Sequence, residues 1–452
     1  MRSLLRSMLV KLGVYHFAYY NIWENRLSFR VWTCAWRYRN LVKKARNKPK
    51  TGKIRVLFIV NEIAKWKEQF LYEMMDKSED FFPIVGISAW NNQSELNLSA
   101  TEYKTVQENA EKFFDKLGNR HVRTVTIEQG KWIYHDLSEF NPDIVFYTEQ
   151  WGPCLKQHPY EVSRYALTCF LPYYVPDFGI ADIDCYQQVE RMVWTYFCLS
   201  EAWVKLYRNS LRFVCYAAKF VATGHPALDY FLANQKRPFK EGYVIYAPHF
   251  SFYRPLHDGK YMIGTFDWNG VEILEYAERH PEIKWIFKPH PLLRRSILEC
   301  GKMTKDEVDS YYERWNKIAQ VSLDGNYQEL FLESRAMITD CGSFLPEYGS
   351  TGRPIIRMIC AHNKHIPPAA PKKVYDTYYQ VHNVEELLNA FKLVIEDGKD
   401  PKLEERMEAI REAGLYATNA SRNIIDYILK MFGRDSSHGL MSSSCKRDGD
   451  GY

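Results

Sequence analysis

The sequence predicts an α/β protein: two doubly wound domains facing a cleft, with a basic helical arm ahead of them. Three observations predict it. Apolar runs of strand length alternate with helix-like or polar stretches, the pattern of parallel sheets covered on both faces. The alternation starts afresh after a polar stretch, "NQKRPFKEG" at 234–242. A length of 452 residues, 46% hydrophobic and 25% charged, suits two domains of soluble globular balance.

Residues 1–50 hold twelve of the 60 Lys and Arg residues and one of the 55 acids, Glu24. Tyr15, Phe17, Tyr19, Tyr20, Trp23, Trp32, Trp36 and Tyr38 are interleaved with them. Leu4, Leu5, Met8, Leu9 and Leu12 share one helical face. Such an arm suits the headgroup layer of an anionic membrane. The alternative is a helix packed on the body. The remainder is slightly acidic, which argues against nucleic acid as a partner. No uncharged apolar run reaches the roughly 18 residues of a membrane span. The start carries Arg6 and Lys11 and lacks a clear cleavage site, which argues against a secretory signal. The ten cysteines form no C-x-x-C pair and mostly sit in apolar runs. Reduced thiols in a cytoplasmic setting are expected, with no metal and no cofactor.

A first domain is expected over 51–238. "KIRVLFIV" (53–60) is a continuous apolar strand, followed by helical "KEQFLYEMM" and a second strand, "FPIVGIS". "PDIVFYTEQ", "ALTCFLPYYV", "TYFCLSE" and "KFVATG" supply further strands. A second domain is expected over 239–432. "YVIYAPH" (243–249) opens it, and "VEILEYAERHPEIKWIFKPHP" is a helix feeding a strand. "ESRAMITDCGS" and "RPIIRMI" add strands, and "NVEELLNAFKLVIEDG" and "NASRNIIDYILKMF" are closing helices. Residues 433–452 read as a polar, disordered tail. Both domains are Rossmann-like, so ligands are expected beyond the carboxyl ends of the strands.

The candidate residues follow strands. In "FKPHPLLRR", two prolines favour extended backbone around His290. Lys288, Arg294 and Arg295 lie beside it, a grouping suited to a diphosphate leaving group. The bland alternative is a turn histidine and a solvated helix start. In "TDCGSFLPEYGSTGRPII", Asp340 ends a strand, Gly342 lets a ligand approach the backbone, and Ser343 can cap a helix containing Glu347. His249 follows the second domain's first strand. His225 and Asp229 follow the first domain's last strand, where His225-Pro226 also fits a plain turn. Asp182 and Asp184 have the spacing of a metal-binding pair, but an N-cap role for Asp184 fits better. There is no P-loop, G-x-G-x-x-G or G-x-S-x-G, which leaves ATPase and hydride-transfer readings unsupported.

The ordered set "TGHPALD" (223–229), "VIYAPHF" (244–250), "IFKPHP" (286–291) and "MITDCGSFLPEYGSTGRPII" (337–356) resembles the CDP-glycerol glycerophosphotransferase family of teichoic-acid primases and polymerases. The resemblance covers roughly 220–360 and implies the glycosyltransferase-B fold. It implies a nucleotide-activated donor, CDP-glycerol, bound in the second domain. It also implies a lipid-linked glycan acceptor and a peripheral place on the cytoplasmic face of the membrane. His290 matches the family's His-Pro histidine, and Asp340 and Ser343 match its Thr-Asp-Tyr-Ser-Ser element. Glu347 stands at its following acid, and Gly224, Pro226 and Asp229 match its Gly-x-Pro-Arg-x-Asp. Cys341, Gly342, Ala227 and Ser251 depart from it. The family's Trp-His-Gly segment, with a proposed basic histidine, has as counterpart "TCFLPYYVPD" (168–177), which holds no histidine. The resemblance implies a catalytic His290 and a donor site containing Asp340, Ser343 and Glu347, whereas His249 and Phe250 stand where the family has Thr-Trp; on the residues themselves Lys288, Arg294 and Gly342 join the donor site, and Asp177, His249 and His225 are candidates for the catalytic base. His225 and Asp229 would line the cleft, and His158 is a further candidate base. The alternatives are a nucleotide-sugar glycosyltransferase of surface polysaccharide synthesis and a non-catalytic nucleotide- or glycan-binding protein.

Overall fold

A computed structural model describes residues 25–47, 52–89, 99–149, 155–175, 188–210, 215–233, 242–252, 263–322, 327–362, 369–413 and 419–434. In chain order the first domain's strands are β1 (Ile54–Val60), β2 (Phe81–Ile87), β3 (His121–Arg123), β4 (Val125–Glu128), β5 (Lys131–Tyr134), β6 (Ile144–Tyr147), β7 (Leu167–Phe170), β8 (Thr195–Cys198) and β9 (Lys219–Ala222). The second domain has β10 (Tyr243–Ala247), β11 (Trp285–Phe287), β12 (Ala319–Val321), β13 (Ser334–Thr339), β14 (Ile355–Met358) and β15 (Tyr379–Val381). The first sheet runs β3-β2-β1-β6-β7-β8-β9 and the second β12-β11-β10-β13-β14-β15, both parallel throughout. β4 and β5 form a separate antiparallel hairpin.

The apolar runs are continuous because both sheet faces are covered. Along β1, Val56, Phe58 and Val60 enter one core, while Leu57 and Ile59 enter another. Along β10, Val244 and Tyr246 face one core, and Ile245 and Ala247 the other. The core containing Leu57 and Ile245 runs through both domains. Part of the join is Phe231, on the helix Pro226–Ala233, stacked on Phe331 of Gln328–Glu333 at 5.9 Å.

One element departs from its expected place, and another takes one of the two places open to it. The closing helix Ala420–Met431 was expected in the second domain. Its Ile424, Ile425, Ile428 and Leu429 are instead buried in the first domain's core with Tyr72, Phe58 and Trp194. The amphipathic pattern was legible, but the partner of an apolar face is not written in its period. The helix Asn25–Asn47, from the supposed arm, packs Val31, Cys34 and Tyr38 into the same core. The Tyr38 hydroxyl lies 2.6 Å from Thr168 Oγ1 and donates to the Met192 carbonyl at 2.7 Å. Phe29, Trp32 and Trp36 on the other side are 67%, 63% and 63% exposed. Among the described residues, no helix is long and apolar enough to cross a membrane.

The order of pairing fixes where ligands can sit. β1 is flanked by β2 and β6, and β10 by β11 and β13. Connections leave these strands in opposite directions, opening a crevice at their carboxyl ends. The segments after β1 and β6, and those after β10, β11 and β13, are therefore where the site is built.

Candidate functional site

On the second domain's side, Asp340 sits at the switch point between β10 and β13. Its carboxylate accepts hydrogen bonds from His249 N (2.6 Å), Thr265 N (2.6 Å) and Thr265 Oγ1 (2.7 Å). Burial raises its pKa to about 6, against the pull of these donors. Asp340 braces the neighbouring loops, so the expected ligand role passes to what the brace holds. His249 Nδ1 accepts from Ser251 N at 3.2 Å and lies 2.9 Å from Ser251 Oγ.

The "KPHP" histidine has a specific local explanation. His290 Nδ1 accepts from Leu292 N at 3.1 Å, two residues on. The same bond runs from Ala227 N to His225 Nδ1 and from Tyr160 N to His158 Nδ1, each at 3.2 Å. In each case the imidazole precedes a proline and accepts from the N–H two residues on, because proline itself offers none; at His158 and His225 this caps a helix that starts at the proline, while at His290 it closes the turn ahead of Leu293–Glu299. His-Pro is thus first a turn device. At His225 it is entirely structural, since Nε2 donates to the Pro172 carbonyl at 2.7 Å. At His290 the bond fixes the tautomer: Nδ1 accepts, so the neutral ring carries its proton on Nε2, which has no hydrogen-bond partner among the described residues. Burial first, then the charge of Lys65, lowers its pKa to about 4. Burial and His290 lower that of His249 to about 3. The two rings lie 5.3 Å apart, with Phe250 packed on both. His290 is therefore a neutral hydrogen-bond donor in this structure.

On the first domain's side, the polar residues after β1 and β6 were not among the sequence candidates. The segment Asn61–Glu68 follows β1, and Glu149 follows β6. Lys65 Nζ lies 2.9 Å from Glu149 Oε2, and Asn61 Nδ2 donates to Glu149 Oε1 at 3.3 Å. Glu68 Oε2 accepts from Lys67 N at 2.9 Å, while its Oε1 is buried without a hydrogen-bond partner. Burial raises the Glu68 pKa to about 8, and that of Glu149 is raised for the same reason. Lys67 crosses to the second domain. Its Nζ is 3.4 Å from Glu347 Oε2 and 3.6 Å from the centre of the Tyr327 ring. The available signal was position: a charged run, "NEIAKWKE", directly after the first strand.

Several sequence-predicted residues do not converge on this cleft in the expected way. Arg294 pairs with Asp309 and stacks over Tyr312 on the surface, and Arg295 pairs with Glu299. The cause is spacing: past the turn the chain is already in the helix Leu293–Glu299, which turns both guanidiniums outward. Asp229 is a cap. It accepts from Asn419 N, Ala420 N and Ser421 N at 3.1, 3.0 and 2.6 Å, at the start of the closing helix. Ser343 makes no capping bond; its Oγ lies 3.3 Å from Cys341 Sγ, and the helix after it, Phe344–Gly349, is only six residues long. Gly342 is buried in the turn before it. Glu347 is engaged by Lys67 and by the Tyr327 hydroxyl. Lys288 is buried beside Tyr327, with its Nζ 5.5 Å from the ring centre and 3.5 Å from Ser322 Oγ. Asp177, Asp182 and Asp184 lie outside the described residues. No cluster of His, Cys, Asp and Glu suited to a metal ion occurs among the described residues.

A scan of protein-family models and a search of curated proteins find no match. Among solved structures, the wall teichoic acid polymerase TagF aligns at 14% identity with a TM-score of 0.50, over 95% of this chain and 97% of that one. The fold is that of the glycosyltransferase-B group. A putative UDP-N-acetylglucosamine 2-epimerase from Listeria monocytogenes aligns at 14% identity and TM-score 0.49, over 85% and 99% of the two chains. The UDP-GlcNAc 2-epimerase from Neisseria meningitidis, bound to UDP-GlcNAc, aligns at 15% and 0.47, over 84% and 100%.

Proposed function

We propose that this chain is a glycosyltransferase-B transferase acting on a nucleotide-activated donor, and that it moves glycerol phosphate or a related polyol phosphate from a CDP-linked donor to a hydroxyl of a lipid-linked or surface glycan. One observation carries the reading. Two switch-point crevices face each other, and they bring imidazoles and ammonium groups together: His290, His249 and Lys288 from one side, Lys65 and Lys67 from the other. The ordered motifs over 223–356 agree with it.

In this scheme the acceptor oxygen forms a bond to the phosphorus that carries the polyol. The bond from that phosphorus to the bridging oxygen breaks, and CMP leaves with the electron pair. His290 Nε2–H donates to the donor phosphate as charge gathers on the leaving group. The hydroxyl proton goes to Glu68, whose raised pKa lies near operating pH and whose Oε1 has no hydrogen-bond partner among the described residues. One specific observation favours a nucleotide-sugar donor as the second reading. The acceptor side offers the carboxylates Glu68 and Glu149 and, over the described part of 168–177, no histidine. Release of CMP from CDP-glycerol supports the first reading; release of UDP or GDP with sugar transfer supports the second.

The exposed stripe Phe29, Trp32 and Trp36 continues along the same helix face into Arg39 and Lys43. Aromatic side chains beside cations fit the headgroup layer of an anionic bilayer. We assign the stripe to a peripheral position on the cytoplasmic membrane face, where a lipid-linked acceptor would be met.

A further inference from the structure

The contact between Lys67 and Glu347 is poor as a structural bridge. Both side chains are removed from water, 6% and 1% exposed, yet they meet at only 3.4 Å. A good ammonium–carboxylate hydrogen bond is closer to 2.8 Å. Glu347 Oε1 is buried with no hydrogen-bond partner among the described residues. Burying two charges costs several kcal/mol each and is recovered only when geometry and remaining lone pairs are satisfied. Here they are not.

The surroundings suit a larger anion. Glu347 lies four residues beyond Ser343, in the short helix Phe344–Gly349 that follows β13 at the second domain's switch point. Lys67 approaches one ring, Tyr327, at 3.6 Å, and Lys288 approaches the same ring at 5.5 Å. Two ammonium groups, one from each domain, thus converge where a single carboxylate offers one engaged oxygen. A diphosphate offers more acceptor oxygens and more charge than that carboxylate.

We propose that Lys67 is a ligand for the donor's diphosphate, contributed across the cleft by the first domain, and that Glu347 competes with the diphosphate for it. This rests on the reading of the cleft as a donor site. It makes binding of the diphosphate report on both domains at once, because one ligand must satisfy Lys288 from one and Lys67 from the other.

The test is isothermal titration of the full-length chain with CDP, cytidine and inorganic pyrophosphate. Lys67→Met should weaken CDP and pyrophosphate by about tenfold or more, the worth of one charge-assisted hydrogen bond, and change cytidine by less than about twofold. Glu347→Gln, which keeps a partner for Tyr327, should tighten CDP and pyrophosphate. The double variant K67M/E347Q removes both charges together, so a Lys67→Met chain that fails to fold does not end the test. In the double variant CDP should bind no better than to Lys67→Met. An unchanged CDP-to-cytidine ratio in folded Lys67 variants overturns the proposal, as does weaker CDP binding in Glu347→Gln. Lys67-dependent pyrophosphate binding without binding of CDP or any other nucleotide overturns the donor reading and leaves the phosphate site standing. Absence of all binding overturns both.

Discussion

Removing the Asp229 carboxylate should free the closing helix from the first domain. This aspartate receives three backbone N–H groups, from Asn419, Ala420 and Ser421. Asn423 adds a bond from its Nδ2 to the Thr223 carbonyl at 3.0 Å, next to the same corner. Loss of an N-cap alone costs about 0.5–2 kcal/mol. Each bond to an ionised acceptor is worth about 1.5–3 kcal/mol, although bonds to one carboxylate do not add fully. Asn419 is exposed, so water can replace the carboxylate at its amide, whereas Ala420 and Ser421 are buried. Asp229→Ala should therefore lower the local opening free energy of Ala420–Met431 by about 3 kcal/mol. That corresponds to roughly 100-fold faster hydrogen exchange through the helix. Asp229→Asn keeps an acceptor and should lose about half as much free energy. The assay is amide exchange resolved to residues 419–431, with the amides of β10 and β13 as internal reference. Unchanged exchange in the helix of the Ala variant would show that Asp229 is not the cap described above. Its place would then revert to the ligand-lining role that its motif suggested.

Other outcomes follow from the same geometry. Burial lowers the pKa of His225 from 6.5 to about 4. Between those values the unfolded chain binds a proton that the folded chain refuses, so its contribution to stability is complete above 6.5 and is lost as pH falls toward 4. His225→Asn should flatten the acid slope of stability by about one proton in that window, measured by chemical unfolding at several pH values. Glu68→Gln should reduce kcat by about 10²–10⁴ and remove the limb of the pH–rate profile near pH 8; a retained limb would assign the base elsewhere. Replacing Phe29, Trp32 and Trp36 together by Ser should release the protein from vesicles containing phosphatidylserine while leaving the fold intact, because the buried face of that helix is untouched. Full-length protein that never sediments with such vesicles would make the stripe a contact for protein instead.

The fold was legible because continuous apolar runs and their restart after residue 242 are dictated by two-sided burial. What escaped was short or nonlocal. β3, β12 and β15 are three-residue strands at sheet edges, too brief to show a period. The β4–β5 hairpin turns at Gln129 and Gly130, both with positive φ, without the Asn-Gly pair that usually announces such a turn. Asp340 and His290 stood out in the sequence because they follow strands. The sequence does not show that Asp340 faces three donors or that Leu292 N bonds to His290 Nδ1. Asp229 and His225 carried a motif into purely structural roles. Lys67 stands out only through what the other domain places against it, Glu347 being 280 residues away, and Glu68 only through its burial beside Lys67.

The most direct measurement is release of CMP from CDP-glycerol by the full-length protein on anionic vesicles carrying a lipid-linked glycan acceptor, compared between wild type and His290→Ala. Loss of the Nε2–H donor from a water-excluded site should lower turnover by about 10²–10³ while thermal unfolding stays close to wild type. Turnover within about twofold of wild type in His290→Ala would contradict the central claim. So would release of a nucleotide other than CMP from a nucleotide-sugar donor by a protein that leaves CDP-glycerol intact.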